Sequence, residues 1–402
     1  MSLAEFPLIL ILAGLVAYAV LGGADFGAGF WMLPGGGLTA RVREHAHRAM
    51  APVWEANHVW LIFILVVTWT GYPTAFASIM STLAVPMFIA AIGIILRGST
   101  YVLRSAAGTS RMGSAADLVF AAASILTPFA LGAAVGGIAS GRVPVGNAAG
   151  DLVTSWLNPT SAIIGAIAVV TGAYLAAVYL AADAHRIGDR ELEESFRRRA
   201  LAAAVVAGGL ALGGLAVIHE DYKPLYDGLT HGAGLACVIV SAAAGIVTIG
   251  LVWVWRFDLS RVTGAAAVAA IIAGWAFAQR PYILPPELTV KEAAAGHSTL
   301  IAIVVSAIVA AVLLLPSLGF LYSLFLRGRF DERSRRDDLL EGEAIRIGRW
   351  ELYVGIAATV FIAGALLNIF CQTAWQRGIA VAALLAGIAG GFALLALPPE
   401  ED

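Results

Sequence analysis

The stretch WEANHVW, residues 54–60, places Glu55, Asn57 and His58 at the start of a long apolar segment. Ionisable groups at membrane depth lose hydration, so they persist there only with a partner, a bound proton or a wet cavity. Glu55 and His58 are three residues apart, and on a helix they share a face and can exchange a proton. A carboxylate and an imidazole with shifted pKa values can relay protons through a narrow hydrated channel. The alternative is that the pair is only mutually satisfied near the interface, where the flanking tryptophans anchor the helix end.

A second carboxylate, Asp25, lies within LGGADFGAGFW, residues 21–31. The small residues around it leave a smooth helix face that favours close packing in lipid, and this explains the glycines without explaining the carboxylate. Asp25 is expected about 10 to 15 Å deep, at 1.5 Å per residue. A short loop joins the first two apolar segments, so they are expected to be neighbours. Asp25, Glu55 and His58 then define a predicted polar path from the cytoplasm.

The composition indicates the elements that must hold these residues. Apolar residues form 60% of the 402-residue chain and charged residues 13%, whereas soluble domains average about 25% charged. Each bilayer crossing needs about 20 apolar residues, and backbone groups in lipid must be satisfied within the protein. The sequence predicts an all-α polytopic membrane bundle. Eleven spans are expected near residues 7–32, 52–70, 74–97, 116–140, 159–183, 200–218, 231–255, 263–279, 298–326, 351–370 and 377–397.

Loop charge predicts the orientation of these spans. The loops assigned to the inside carry all but five of the 25 Lys and Arg residues, with Arg97 counted among the inner ones. The five outer residues are Arg142, Lys223, Arg280, Lys291 and Arg377. Because cytoplasmic loops are enriched in Lys and Arg, the N-terminus is predicted outside and the C-terminus inside. The first span lacks a basic flank and a cleavage site, so it is interpreted as a retained span.

Other polar residues give weaker signals. Asp117, Asp183 and His185 fall at predicted cytoplasmic helix ends, where interface solvation explains them. His219 and His231 flank an outer turn, but a haem held by two histidines needs both imidazoles inside the bundle. Cys237 and Cys371 show neither metal-ligand nor disulfide spacing, and no nucleotide, hydrolase or metalloprotease motif is credible. No catalytic, metal or cofactor-binding residue and no nucleic-acid partner is assigned to this chain.

Three motifs together resemble subunit II of the cytochrome bd-type quinol oxidases. They are GGADFGAG in the first span, APVWEANHVWLIF at the start of the second, and RGSTYVLR at the end of the third. The later QRPYILPPELTVKEAA, followed by a ninth span, is similar to the same subunit, and the likeness covers about residues 1–330. Glu55 stands where many members of that family have aspartate.

The resemblance implies a fold, a partner and an activity. It implies a nine-helix subunit, in a bacterial or archaeal cytoplasmic membrane, bound to a haem-bearing subunit I that carries b-type and d-type haems. The complex would oxidise quinol and reduce oxygen to water, and would generate a proton motive force. This chain would support assembly and a proton-uptake path containing Asp25, Glu55, Asn57 and His58. A quinone or lipid bound here would be structural.

The C-terminal quarter departs from the family pattern. Beyond the nine-helix domain, residues 1–330, we expect a charged cytoplasmic linker at 331–350 and an added transmembrane hairpin at 351–402, which covers a lipid-facing groove or binds a small accessory subunit. Two other functions stay open on the residues alone. Pro86 and Pro128 could break helices as in a secondary transporter of a small solute or ion. A haem-bearing membrane anchor would show its own haem spectrum.

Overall fold

The computed structural model describes residues 2–33, 39–50, 54–107 and 111–326, with a few isolated positions beyond. This part is almost entirely helical, which confirms the predicted all-α membrane bundle. Among the described residues, seven helices are long and apolar enough to cross a membrane, and two shorter apolar segments, Asn57–Gly71 and His297–Val312, lie within two further helices. The total number of spans and their orientation remain predictions.

The chain divides into two compact units, Met1–Val312 and Leu313–Asp402. All contacts given below lie in the first unit. The predicted linker at 331–350 lies outside the described residues, as does the hairpin at 351–402 apart from isolated positions, so both stay predictions.

The helices follow one another with short connections. They are α1 (Phe6–Ala17), α2 (Gly23–Phe30), α3 (Thr39–Met50), α4 (Trp54–Gly71), α5 (Pro73–Thr82), α6 (Ala84–Ala107), α7 (Arg111–Ala139), α8 (Pro159–Arg186), α9 (Arg190–Asp221), α10 (Lys223–Thr230), α11 (Gly232–Trp253), α12 (Phe257–Gln279), α13 (Val290–Ala293) and α14 (His297–Leu326). A π-helical turn, Tyr18–Gly22, joins α1 to α2, so that Leu3–Phe30 forms one continuous helical segment. A two-stranded antiparallel hairpin, β1 (Tyr282–Leu284) and β2 (Leu288–Thr289), follows α12.

Helix α8 lies at the centre of the unit. Between Gly172 and Ala182 every residue except Tyr179 is buried. Helices α2, α7, α9 and α12 all pack against α8. Its alanines and glycines let neighbouring backbones approach closely, which is how helices gain packing energy in lipid. The second span, α4, packs against α1 and the π-helical turn, so the predicted proximity of the first two spans is found.

The predicted continuous span at 74–97 is wrong, because two helices, α5 and α6, occupy it. Leu83 lies between them with φ −97° and ψ 26°. Pro86 has no N–H and its ring would collide with the carbonyl group of Thr82 in a continuous helix, so the helix restarts with Pro86 in its first turn. Pro128, in contrast, lies inside α7, which continues through it.

The two ends of the bundle carry small elements that the hydropathy pattern did not predict. We call the end of the bundle that carries β1 and β2 the hairpin end, and the opposite end, which carries α3, the α3 end. At the hairpin end the Tyr72 hydroxyl donates to the Ala4 carbonyl at 2.6 Å and accepts from the Leu8 N–H at 3.0 Å. At the α3 end Val42 and Ala46 are buried while Arg41 is exposed. Helix α3 is therefore amphipathic, with one face on the bundle.

Candidate functional site

Asp25 is held in a buried ion pair with Arg97. Asp25 lies on α2 and Arg97 on α6, and their side chains are 2% and 1% exposed. Arg97 Nη1 donates to Asp25 Oδ2 at 2.8 Å, and Nη2 donates to Oδ1 at 2.8 Å. Nη2 also donates to the Asp25 main-chain oxygen at 2.9 Å. Such two-point contact matches the planar guanidinium to the carboxylate and compensates both buried charges.

The rest of the guanidinium is also enclosed. Its Nε donates to the Ser124 hydroxyl at 2.9 Å, and that hydroxyl donates to the Phe120 carbonyl at 2.7 Å. The Phe26 and Phe120 rings lie 4.6 and 4.7 Å from the guanidinium carbon. Aromatic faces attract a cation most strongly where water is excluded. The arginine is therefore fixed by α2, α6 and α7 together.

Arg97 is the functional candidate that the sequence reasoning missed, and its assignment to a cytoplasmic loop is wrong. It lies inside α6, in the apolar run IAAIGIILRGST, and is fully buried. The rule that marked Asp25, a charge within an apolar segment, could have found it. Arg97 was instead placed at the end of the third span, because cations are enriched in cytoplasmic loops and only a minority lie inside a span.

The glycines of the first span allow the close contacts that bring Asp25 to Arg97. A Cβ atom on Gly27 would lie 1.9 Å from the Gly172 carbonyl oxygen of α8. A Cβ atom on Gly29 would lie 2.1 Å from the Ser124 hydroxyl. Both distances are far below a van der Waals contact. The packing role that the sequence indicated for GGADFGAG is thus seen. The missing side chain at Gly29 also leaves room for Ser124 beside Arg97.

Asn57 binds the irregular part of the first span. Its Nδ2 donates to the Leu21 carbonyl at 3.3 Å, and Asn57 is 4% exposed. In the π-helical turn the Gly23 N–H reaches back five residues to the Tyr18 carbonyl. This register leaves a carbonyl group without its usual helical donor, and π-helical turns often occur at functional sites. Asn57 donates to the Leu21 carbonyl within this turn and so ties the second span to the first.

His58 lies one residue further, against the same part of the first span. It is partly buried, and its ring centroid is 6.2 Å from that of Tyr18 and 5.9 Å from that of Phe26. Phe26 also covers Arg97, so the imidazole and the ion pair share an aromatic neighbour. The side chain of Glu55 lies outside the described residues, although its backbone belongs to α4. The predicted proton exchange between Glu55 and His58 stays a prediction.

The weaker candidates are ion pairs near helix ends. Arg142 donates to both carboxylate oxygens of Asp221, at 2.9 and 2.7 Å, and this pair joins the end of α7 to the end of α9. His219 is exposed beside Glu220 rather than directed into the bundle. His185 Nδ1 lies 2.7 Å from Glu193 Oε1 at the α3 end.

A second ionic contact at the α3 end involves Arg41, which pairs with Asp189 and Glu191. The pKa of Asp189 is lowered first by the hydrogen bond from the Leu192 N–H and then by Arg41. These contacts attach α3 to the start of α9, so they support the fold around the site.

The chain is similar to a known protein family, to a sequence relative and to a solved structure. The family described as cytochrome bd terminal oxidase subunit II matches residues 3–325. A putative cytochrome bd menaquinol oxidase subunit II from Bacillus subtilis is 23% identical over 328 residues, which cover 78% of this chain and 92% of that protein. A chain of the bd oxidase structure from Geobacillus thermodenitrificans has a TM-score of 0.63 at 23% identity. It matches over 81% of this chain and 99% of its own length.

Proposed function

Because the chain belongs to the cytochrome bd terminal oxidase subunit II family, we propose that it serves a membrane complex that oxidises quinol and reduces oxygen to water. In this proposal a haem-bearing subunit I is its partner and carries the b-type and d-type haems and the quinol site. The complex would lie in a bacterial cytoplasmic membrane. This chain would not be catalytic alone, and it would contribute assembly and a proton-uptake path.

The buried Asp25–Arg97 pair is the observation that supports the path most directly. Each carboxylate oxygen accepts one guanidinium N–H, and each has a second lone pair that can accept from water or from a protonated group. Arg97 stabilises the ionised carboxylate at membrane depth, where a lone carboxylate would instead be neutralised. The site can therefore keep a charged acceptor inside the bundle during proton transfer.

Asn57 and His58 extend this site toward the second span. Asn57 holds α4 on the π-helical turn, and His58 lies beside the aromatic ring that covers Arg97. We propose that a proton enters past Glu55, passes His58 and reaches the surroundings of Asp25 on its way to the partner subunit. Asn57 positions the two spans and Arg97 positions the Asp25 carboxylate.

The test is oxygen consumption by the assembled complex carrying Asp25→Asn or Glu55→Gln. We expect each variant to slow quinol-driven oxygen consumption by tenfold or more, since removal of a group that transfers protons typically costs about 10²- to 10⁴-fold. The haem spectrum of the partner should keep its shape and its ratio to protein. Arg97→Lys should retain more activity than Arg97→Met, because a point charge replaces only part of the planar contact.

Matched controls separate proton transfer from assembly. Glu220→Gln and Asp258→Asn neutralise exposed carboxylates outside the site and should leave oxygen consumption unchanged. Wild-type turnover in Asp25→Asn, with both subunits present, would remove Asp25 from the path. If Asp25→Asn instead loses the haem spectrum together with the activity, Asp25 is needed for assembly, and the activity of Glu55→Gln then decides whether the proposed path is used.

A further inference from the structure

An open pocket of about 560 Å³ at the α3 end has not been assigned a role. It lies between Trp31, just past α2, and the first turns of α9, where Ser195, Arg198, Arg199 and Ala202 line it. The Trp31 indole N–H donates to the Ala173 carbonyl of α8 at 2.8 Å, which fixes one wall of the pocket. The surface of this pocket is mostly apolar, and its charges are arginines from α9 and two glutamates.

Among the described residues that line this pocket, Arg199 is the arginine without a carboxylate partner. The side chain is half-buried, and its hydrogen bonds go to the Ser195 carbonyl and hydroxyl on its own helix. Its guanidinium carbon lies 5.7 Å from the Trp31 ring and 5.6 Å from the Phe196 ring. Within the described part of the chain no carboxylate pairs with Arg199. A half-buried guanidinium of this kind has donors and charge available for an anion.

The acidic residues of the pocket do not compensate Arg199, because other arginines bind them. Glu194 pairs with Arg197 at 3.2 Å and with Arg198 at 2.8 Å. Glu191 pairs with Arg41 of α3. The pocket therefore keeps a positive site at its inner wall, next to Trp31, while its rim is close to neutral.

The position of the pocket near the predicted membrane interface indicates which kind of anion would bind there. Trp31 ends the first span, and α9 passes from its charged first turns directly into its apolar segment. Tryptophan and arginine at such a level mark the interface between lipid head groups and acyl chains. Basic pockets between membrane helices bind anionic lipid head groups. A free phosphate ion would leave the apolar wall at Trp31 and Ala202 uncovered, whereas an acyl chain would cover it.

We propose that this pocket is a binding site for one anionic phospholipid, with the phosphodiester on Arg199 and an acyl chain along Trp31 and Ala202. The Ser195 hydroxyl, which contacts Arg199, can donate to a phosphate oxygen. The lipid would bridge Trp31 and the start of α9. The site is separate from the proposed proton path, so either proposal can fail without the other.

The experiment uses the assembled complex, delipidated in mild detergent and titrated with phosphatidylglycerol while the thermal melting midpoint is followed. Phosphatidylglycerol should raise the midpoint of the wild type. Phosphatidylcholine and inorganic phosphate should have little effect. Arg199→Gln should weaken the apparent affinity about tenfold, because one charge-assisted contact of about 1.4 kcal/mol corresponds to that factor. Arg190→Gln removes an exposed charge from the same helix, outside the pocket, and should titrate like the wild type.

A second variant keeps the arginine in place. Ala202→Phe fills the apolar wall from an exposed helix position, so it should fold and should also lose the response to phosphatidylglycerol. An unchanged response in both Arg199→Gln and Ala202→Phe would overturn the proposal. An equal effect of phosphatidylcholine would overturn the charge argument, and saturation by inorganic phosphate alone would show an anion site that does not recognise lipid.

Discussion

Replacing Arg97 with methionine tests whether the buried ion pair is a structural necessity. Methionine keeps much of the side-chain length and flexibility of arginine but removes four hydrogen bonds, three to Asp25 and one to Ser124. Asp25 would then be a carboxylate that is 2% exposed and has lost its cation. Breaking a buried pair by removing one partner costs about 3–5 kcal/mol, because the remaining charge is uncompensated. We expect Arg97→Met to lower the stability of the complex by that amount.

The double variant Asp25→Asn with Arg97→Met removes both charges. A buried amide with incomplete hydrogen bonding costs about 1–3 kcal/mol, which is less than a buried unpaired carboxylate. The double variant should therefore be more stable than Arg97→Met alone. The melting midpoints of the assembled complexes measure the order of stability of these variants. Arg256→Met, which removes an exposed charge, is the control. If Arg97→Met melts like the wild type, or if the double variant is the least stable, the account of the pair is wrong.

Two further substitutions test the packing that supports the site. Gly27→Ala should lower the melting midpoint of the complex by the equivalent of about 1–3 kcal/mol, because the added methyl group would meet the backbone of Gly172. In the control Gly208→Ala the methyl group lies in open space, so this variant should be neutral or stabilising. Equal effects of these two alanines would contradict the close contact between α2 and α8. Asn57→Leu should cost about 1 kcal/mol, because the hydrogen bond between the Asn57 side chain and the Leu21 carbonyl is lost. An unchanged midpoint would show that this hydrogen bond adds no stability.

Much of the fold could be predicted because each part of the signal is local. A run of about 20 apolar residues specifies a spanning helix whatever its neighbours are, so the spans could be located from hydropathy. The exception at 74–97 also has a local cause. Pro86 breaks the helix beside Leu83, but both halves are apolar, and hydropathy does not register a break between two apolar helices.

Only part of the candidate site could be predicted from the sequence. Asp25 and the residues of WEANHVW stand out because they are polar in an apolar setting, and the short connection between the first two spans indicated that they are close. The π-helical turn and the Asn57 contact to Leu21 depend on one backbone meeting another. No spacing rule in the sequence encodes that meeting.

The sequence by itself determined a helical membrane protein, the approximate limits of most spans among the described residues, and the presence of costly polar groups within them. Those properties follow from the transfer of each residue between water and lipid, which depends on its own side chain. Only the tertiary structure decided that Arg97 is the partner of Asp25. Residues 25 and 97 lie on different helices, α2 and α6, and the glycines of α2 must first let α7 and α8 approach. Pairing across helices depends on packing geometry, which is a property of the folded chain.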